Sequence, residues 1–298
     1  MNSNNKMNSN NKELRCLDNI RFSKFAFSRK FWPLTYLPTY KTYLENIANA
    51  YTKDVCITYL SDHKINLNPN STIDFIVLMR GFYSKALTSF MMKNIKESMV
   101  CFDIGANIGV FSILMAKMVG PSGYVYSFEP QPNIFKKLLN NIVLNSLISV
   151  EAYQLALSDK NELRDLNYPS EGNRNDGAAS FNHLDRSRGS ERVECVTLDS
   201  FVSQKKISRV DFIKVDVEGY EKFVLAGALE TLKKDRPLLL IEIFCMNCSD
   251  QEELLALLTT LGYNFYSLTF NGSERPFDPL RVKKYPSDIV ARYKKVVL

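Results

Sequence analysis

The chain has 298 residues, of which 45% are hydrophobic and 23% charged, as in an ordinary globular protein. Its longest mostly apolar window, residues 99–119, contains Asp103, Asn107 and Lys117, which excludes a membrane-spanning helix there. The net charge of +6 is concentrated at the two ends of the chain, but no DNA- or RNA-binding motif accompanies it. We therefore expect neither a membrane span nor a nucleic-acid partner.

The N-terminal part of the chain is expected to lie outside the main domain. Residues 1–12 repeat MNSNNK, a polar tail that we expect to be disordered, and they lack the apolar core of a secretory signal. This and six scattered cysteines predict a cytoplasmic protein. Residues 13–98 are predicted to form an extension whose basic, aromatic segment at 13–50 either packs across the main domain or serves as a lid or interaction arm. A hairpin (Val55–Leu60 and Lys64–Leu67) and a helix at 84–97 follow.

A regular alternation of strands and helices begins at residue 99, and we assign residues 99–298 to one domain. Apolar strands are predicted at 99–104, 124–128, 149–153, 210–216 and 237–243, and helices at 109–118, 131–145, 219–233 and 250–260. Such a pattern predicts an α/β fold with a doubly wound, mostly parallel sheet covered by helices on both faces. Strand-like runs at 263–270 and 289–297 bring the sheet to seven strands. Residues 161–197 break the alternation and are interpreted as an insertion or hairpin near the ligand-binding edge.

The first strand of this domain leads into a glycine-containing loop. Asp103 ends the apolar run, and Ile104, Gly105, Ala106, Asn107, Ile108 and Gly109 precede a helix. In open α/β sheets this loop binds ligands, and its glycines let a ligand approach the backbone. A carboxylate beside it would repel a pyrophosphate but attract the ammonium and sulfonium of S-adenosylmethionine. The spacing G-x-x-x-G also departs from the dinucleotide pattern.

Further site residues are predicted at the ends of the next strands. The second strand ends in Phe128, Glu129 and Pro130, where a carboxylate can accept both ribose hydroxyls of a nucleoside. Its other interpretation is an acidic residue at a helix N-terminus. After the third strand, Leu155 and Ala156 are placed where an adenine ring would lie. These residues predict a nucleoside ligand without choosing its class.

Charged residues on the fourth strand indicate chemistry, because a buried charge is costly unless it is paired or functional. Lys214 and Asp216 share one face of this strand, and Glu218 follows. Glu242 ends the fifth strand on the same edge. The structural alternative is that Lys214 pairs internally with a carboxylate and Glu218 caps the next helix.

In chain order, DIGANIG, FEP, IKVDVEGYE and VLAGALETL with RPLLLIEI resemble the FkbM family of methyltransferases, over roughly residues 80–245. The resemblance implies a class I methyltransferase fold, S-adenosylmethionine as methyl donor and, usually, O-methylation of a hydroxyl. It implies that residues 103–109 and Glu129 line the cofactor, with Asp216 and Glu218 beside the transferring methyl. Residues 1–50 and 270–298 lie outside it.

Methyl transfer to an alcohol needs a general base, and the candidates are Asp216 first, then Glu218 and His183. A divalent metal held by Asp216 and Glu242 is an alternative way to acidify the hydroxyl, but no metal site is predicted. A nicotinamide-dependent dehydrogenase on a related fold and a non-catalytic binding domain are the rival hypotheses. The expected partner is a small-molecule or glycan acceptor, and a homodimer is left open.

Overall fold

A computed structural model of the chain describes residues 54–168, 179–181, 189–243, 248–276, 279 and 287–294. The predictions for residues 1–12 and 13–50 therefore lie outside the described residues, and the boundary at residue 99 stays a prediction. In the described ranges no helix is long and apolar enough to cross a membrane.

The described chain begins with a hairpin and two helices. Strands β1 (Val55–Tyr59) and β2 (His63–Leu67) pair in antiparallel register around a turn at residues 60–62, as predicted. Helix α1 (Thr72–Arg80) follows, and α2 (Lys85–Asn94) lies within the predicted helix at 84–97. The hairpin is attached to a later helix, since Asn141 accepts a hydrogen bond from the amide of Asn66 at 2.8 Å.

The central sheet is built as the alternation predicts. Its parallel strands are β3 (Val100–Ile104), β4 (Tyr124–Phe128), β5 (Val150–Tyr153), β9 (Phe212–Val215) and β10 (Leu238–Ile243). Antiparallel strands β11 (Tyr263–Leu268), β12 (Glu274–Pro276) and β13 (Ser287–Tyr293) complete one edge, in the order β12-β11-β13-β10-β9-β3-β4-β5. Seven of these strands correspond to the predicted ones, and β12 is a three-residue addition at the edge. The chain is thus an α/β protein with the predicted doubly wound sheet.

Helices cover both faces because the parallel strands carry mostly apolar side chains that must be buried on each face. The helices that follow β3 and β4 are α3 (Val110–Val119) and α4 (Pro132–Leu144). The later ones are α5 (Leu198–Gln204), α6 (Glu221–Ala226), α7 (Leu229–Asp235) and α8 (Cys248–Thr260). One core lies between the sheet and helices α5 to α8, and the other between the sheet and helices α2, α3 and α4.

The region that interrupts the alternation forms a separate three-stranded sheet. Its strands are β6 (Ala156–Leu157), β7 (Glu162–Asn167) and β8 (Ser190–Val196), in the order β6-β8-β7. Strands β7 and β8 form an antiparallel pair, so a hairpin is present within residues 161–197 as predicted. Residues of this sheet border the cleft described below, in agreement with its predicted position near the ligand-binding edge.

The prediction of a single helix at 219–233 is wrong, because this segment forms two helices, α6 and α7. At the division, a Cβ on Gly227 would lie 2.0 Å from the carbonyl oxygen of Ser158. The two backbones therefore touch here, and the chain turns between the helices. Helices α1 and α5, with nine and seven residues, were not predicted because such short elements show little helical periodicity.

Candidate active site

A cleft opens at the carboxyl ends of the parallel strands and encloses about 1000 Å³, solvent-open space included. From β3 the chain proceeds to β4 and β5 on one side and later to β9 and β10 on the other, so the strand order reverses between β3 and β9. Ligands bind at such a reversal in open α/β sheets. The cleft is therefore where the sequence predicts the site.

The loop after β3 is held by hydrogen bonds within the protein. The amides of Gly105 and Ala106 both donate to the carbonyl of Phe128, at 3.0 and 2.9 Å. The Asn107 amide donates to Glu129 Oε2 at 3.0 Å. The next two amides also have internal acceptors, Ile108 to the Asn107 side chain and Gly109 to a carbonyl. Because dinucleotide loops bind pyrophosphate through free backbone amides, this loop disfavours such a ligand.

Gly105 is required where β3 meets the residues after β9. Its φ of +78° is in the left-handed region, and a Cβ would lie 1.8 Å from the carbonyl oxygen of Asp216. The loop therefore touches the backbone of the predicted catalytic segment directly. A side chain at this position would push the two apart.

Glu129 lies at the end of β4, buried to 7% exposure, and borders the cleft. Its two oxygens accept the amides of Asn107 and Gln131, both at 3.0 Å. Burial raises the pKa of this carboxyl to about 7, although the two amides oppose the shift. Each oxygen keeps a further lone pair, so the ionised group can still accept ribose hydroxyls.

Apolar side chains form the wall beside Glu129. The predicted residues Phe128, Pro130, Leu155 and Ala156 border the cleft, as do Ile104, Gly105, Ala106 and Asn107 of the loop. Leu157 borders it too, and the small sheet and its connection add residues that the sequence did not single out: Leu166, Ala179 and Ser180. A flat apolar slot next to a carboxylate suits an adenosine.

Asp103 does not line the cleft, and its predicted contact with a cationic ligand is not supported by its position. The side chain is fully buried, its Oδ2 accepts the Ser112 hydroxyl at 2.6 Å, and Ser127 donates to Ser112 at 2.9 Å. The Lys214 ammonium lies 3.7 Å from its Oδ1. The reason is register: Asp103 and Lys214 face each other on adjacent strands, so the protein supplies the cation itself. Gly109, at the N-cap of α3, also lies outside the lining.

Lys214 joins this buried network to the cleft. Its ammonium donates to Asp216 at 2.9 Å and lies 5.2 Å from the centre of the Phe111 ring. Burial lowers the pKa of Lys214, but Asp216 and Asp103 outweigh it and raise the pKa above its ordinary value. The internal pairing of Lys214 with a carboxylate, left open by the sequence, is thus confirmed.

Asp216, Glu218 and Glu242 border the cleft near Lys214. Their environments give the three carboxyl groups different pKa values. Burial acts to raise the pKa of Asp216, but the Lys214 ammonium and a hydrogen bond with Glu242 lower it overall. Burial and the neighbouring Asp216 charge raise the pKa of Glu242 to about 10. The same two causes raise the pKa of Glu218 to about 7. At neutral pH Asp216 is ionised, Glu242 is protonated, and Glu218 is poised between the two states.

Glu218 is held in an unusual backbone conformation. Its φ of 52° is rare for a residue with a side chain, and such strain concentrates at functional sites. The carboxylate of Glu221 accepts the amides of Val217 and Gly219, at 3.2 and 3.0 Å, and the Ser180 hydroxyl donates to the Glu218 carbonyl. The flanking hydrogen bonds thus fix the segment that presents Glu218 to the cleft.

His183 lies outside the described residues. Among the described residues no group of three or more side chains is arranged to hold a metal ion. From the sequence, Tyr83 could either stack on a sugar ring or pack in the core, and Phe111 was not singled out; both border the cleft. Tyr83 lies in a short connection between two helices, where no periodicity marks it as facing a site.

Comparison with known proteins identifies the family. The family model for the methyltransferase FkbM domain matches residues 103–265. The 2-O-methyltransferase NoeI of Sinorhizobium fredii is 31% identical over 157 residues, 47% of this chain and 62% of that protein. The 31-O-demethyl-FK506 methyltransferase FkbM of Streptomyces tacrolimicus is 30% identical over 154 residues, 43% of this chain and 58% of that protein.

A third relative is the hexuronic acid methyltransferase AglP of Haloferax volcanii, 27% identical over 146 residues, which are 48% of this chain and 55% of that protein. The match thus spans less than two thirds of the length of each of these three relatives.

Proposed function

Because the chain belongs to the FkbM family of methyltransferases, we propose that it transfers a methyl group from S-adenosylmethionine to a hydroxyl of a sugar, glycan or natural product. The observation that carries the proposal is the cleft at the strand reversal, with an adenosine-like slot at one end and ionisable carboxyl groups at the other. The relatives named above support transfer to oxygen, since one is a 2-O-methyltransferase and another acts at an O-demethyl position.

The residues at the first end of the cleft fit the cofactor. Glu129 offers a carboxylate to the ribose, and Phe128, Leu155 and Ala156 offer apolar surface to the adenine. The loop amides of residues 105–109 are used internally, which suits a nucleoside without a pyrophosphate. The dehydrogenase hypothesis requires a pyrophosphate site and has no support in this loop.

When bound, S-adenosylmethionine supplies a methyl group on a positively charged sulfur, which leaves as a neutral thioether when the acceptor oxygen takes the methyl carbon. The protein must align the two reactants and remove the hydroxyl proton. We assign the removal of the hydroxyl proton to Glu218, which borders the cleft and has a pKa near neutrality. Asp216, the first candidate from the sequence, is instead tied to Lys214 and holds a lowered pKa.

Calorimetric titration with S-adenosylhomocysteine and with NAD tests the cofactor. We expect S-adenosylhomocysteine to bind and NAD not to bind. Binding of NAD alone would overturn the proposal.

Transfer of labelled methyl to a panel of sugars and hydroxylated natural products tests the reaction. We expect Glu218→Gln to lower the rate at least ~100-fold, the scale of a lost general base, while S-adenosylhomocysteine still binds. An unchanged rate in Glu218→Gln would remove Glu218 as the base. The cytoplasmic location predicted from the sequence stays a prediction.

A further inference from the structure

The end of the cleft opposite the adenosine slot has its own walls. Glu242 lies near the end of β10, three strands away from β4, which Glu129 directly follows, so the two lie roughly 14 Å apart across the sheet. Tyr83, before α2, packs on Phe111 and lines the cleft, and Ile73 of α1 also borders it. These two residues precede the matched family region, which begins at residue 103. The wall is therefore built by a part of the chain that the family match does not cover.

An aromatic ring and carboxyl groups face each other here. The Tyr83 ring packs edge-on against Phe111, with centroids 6.1 Å apart and planes at 82°. The centre of the Phe111 ring in turn lies 5.2 Å from the Lys214 ammonium that donates to Asp216. Burial, followed by the charges of Asp216 and Glu242, raises the pKa of the Tyr83 hydroxyl. A ring beside hydrogen-bonding carboxyl groups offers an apolar face and several polar contacts to one small ligand.

Acidic side chains outnumber basic ones at this end of the cleft. Asp216, Glu218 and Glu242 all border the cleft, and Asp288 faces Glu242 across the β10–β13 pair. Among the described residues that line the cleft, Lys214 is the one with a cationic side chain. Its ammonium is already paired with Asp216 and with a second, fully buried carboxylate. It is therefore not available to neutralise an anion that enters from outside.

Building on the proposed function, we propose that this end is the acceptor subsite and that it selects an uncharged sugar over a sugar that carries a carboxylate. Hydroxyl groups can donate to Asp216, to Glu218 and to the carbonyl oxygen of the protonated Glu242, and Tyr83 can cover one face of the ring. A carboxylate in the same place would meet the charges of Asp216 and Glu218, and the described residues that line the cleft offer it no unpaired cation. The inference concerns the acceptor class and leaves the methylated position open.

Matched sugar pairs bound to the protein saturated with S-adenosylhomocysteine test this inference. We would titrate methyl glucoside, galactoside and mannoside, each beside its uronic acid counterpart, by ligand-observed NMR at pH 8, where every uronate is ionised. At least one neutral sugar should bind, and its acid counterpart should bind at least ~10-fold more weakly. Equal or tighter binding of the acid, or no binding by any neutral sugar, would overturn the inference.

Two variants separate this subsite from adventitious binding. Tyr83→Ala should weaken the neutral sugar at least ~5-fold without changing the affinity for S-adenosylhomocysteine. The matched control Tyr124→Ala removes a tyrosine that is 48% exposed and does not border the cleft, and it should change neither affinity. Glu218→Gln should narrow the difference between the neutral and acid sugars. Equal effects of the two tyrosine variants would count against the subsite.

The affinity for S-adenosylhomocysteine, measured first, distinguishes the two proposals. If S-adenosylhomocysteine does not bind, the proposed function itself fails. If S-adenosylhomocysteine binds but the sugar preference is reversed, only the acceptor inference fails.

Discussion

Replacing Lys214 by methionine would remove the one cation between the fully buried Asp103 and the partly buried Asp216. The ammonium lies 2.9 Å from Asp216 and 3.7 Å from Asp103, and the lysine side chain is 4% exposed. Methionine has a similar length and fills the same space without charge. The variant therefore isolates the electrostatic contribution of the lysine from its packing.

Two quantities bound the expected loss of stability: the attraction that the variant loses, and the free energy of protonating a carboxyl group instead. At an effective dielectric constant of 20, these distances correspond to gross attractions of about 6 and 4 kcal/mol. In the variant, however, a carboxyl group can take up a proton instead of staying charged. From an ordinary pKa of 3.8, protonation at pH 7 costs about 4 kcal/mol. We therefore expect Lys214→Met to lose about 3–5 kcal/mol at pH 7, as buried pairs do when one partner is removed.

Urea unfolding at several pH values measures this loss. Because the buried carboxyl of the variant has a raised pKa, the variant gains stability relative to wild type as the pH falls. The loss should shrink by about 2 kcal/mol between pH 7 and pH 5.5. The wild-type Lys214–Asp216 pair is unaffected in that range, since the pKa of Asp216 lies below its ordinary value.

A matched control is Lys222→Met. Lys222 also pairs with two carboxylates, Asp250 and Glu253, but its side chain is 25% exposed. Such a surface pair should contribute less than about 1 kcal/mol. The double variant Lys214→Met/Asp216→Asn should regain part of the stability. A loss in Lys214→Met below about 1 kcal/mol at pH 7, or one independent of pH, would refute the reasoning.

Three further predictions concern the cofactor end. Affinity for S-adenosylhomocysteine should rise with pH up to about 7, because Glu129 accepts both ribose hydroxyls best when it is ionised. Calorimetry should show proton release on binding below pH 7, and Glu129→Gln should abolish the pH dependence of the affinity. Gly105→Ala should lower the stability by at least about 3 kcal/mol in urea unfolding, because its Cβ meets the Asp216 carbonyl. Gly81→Ala is the control, with a φ of +75° and open space around the new Cβ, and should cost about 1 kcal/mol. Ser112→Ala should cost about 1–3 kcal/mol in the same assay, because it leaves the β3 carboxylate without its hydroxyl donor.

Much of the fold could be predicted because periodicity and burial agree along the central strands. The strand at 124–128 was predicted to the residue, and the hairpin around residues 60–62 follows from two short β-type runs. The break at Gly227 could not be predicted, since it results from contact with Ser158, 69 residues earlier in the chain. Local sequence carries no information on such a contact.

The sequence indicated where the site lies, but it did not reveal that Asp103 is buried beside Lys214. A carboxylate at the end of a strand can face a ligand or a neighbouring strand, and only the register with β9 shows that Lys214 meets it. The observation that disfavours a pyrophosphate is instead the internal hydrogen bonding of the loop amides. The place of Tyr83 in the site could not be predicted either, because its interaction with Glu242 depends on how two distant segments pack.

The self-contained loop at residues 105–109 also has a thermodynamic consequence. The amides of the loop are already paired within the protein. The cofactor would therefore bind to a preformed loop and would not have to order the backbone there. Association would then carry little conformational entropy cost at this loop, and its heat-capacity change would reflect the dehydration of the apolar slot rather than the folding of a segment. The loop would then need no reordering when the donor is exchanged for its demethylated product in each turnover.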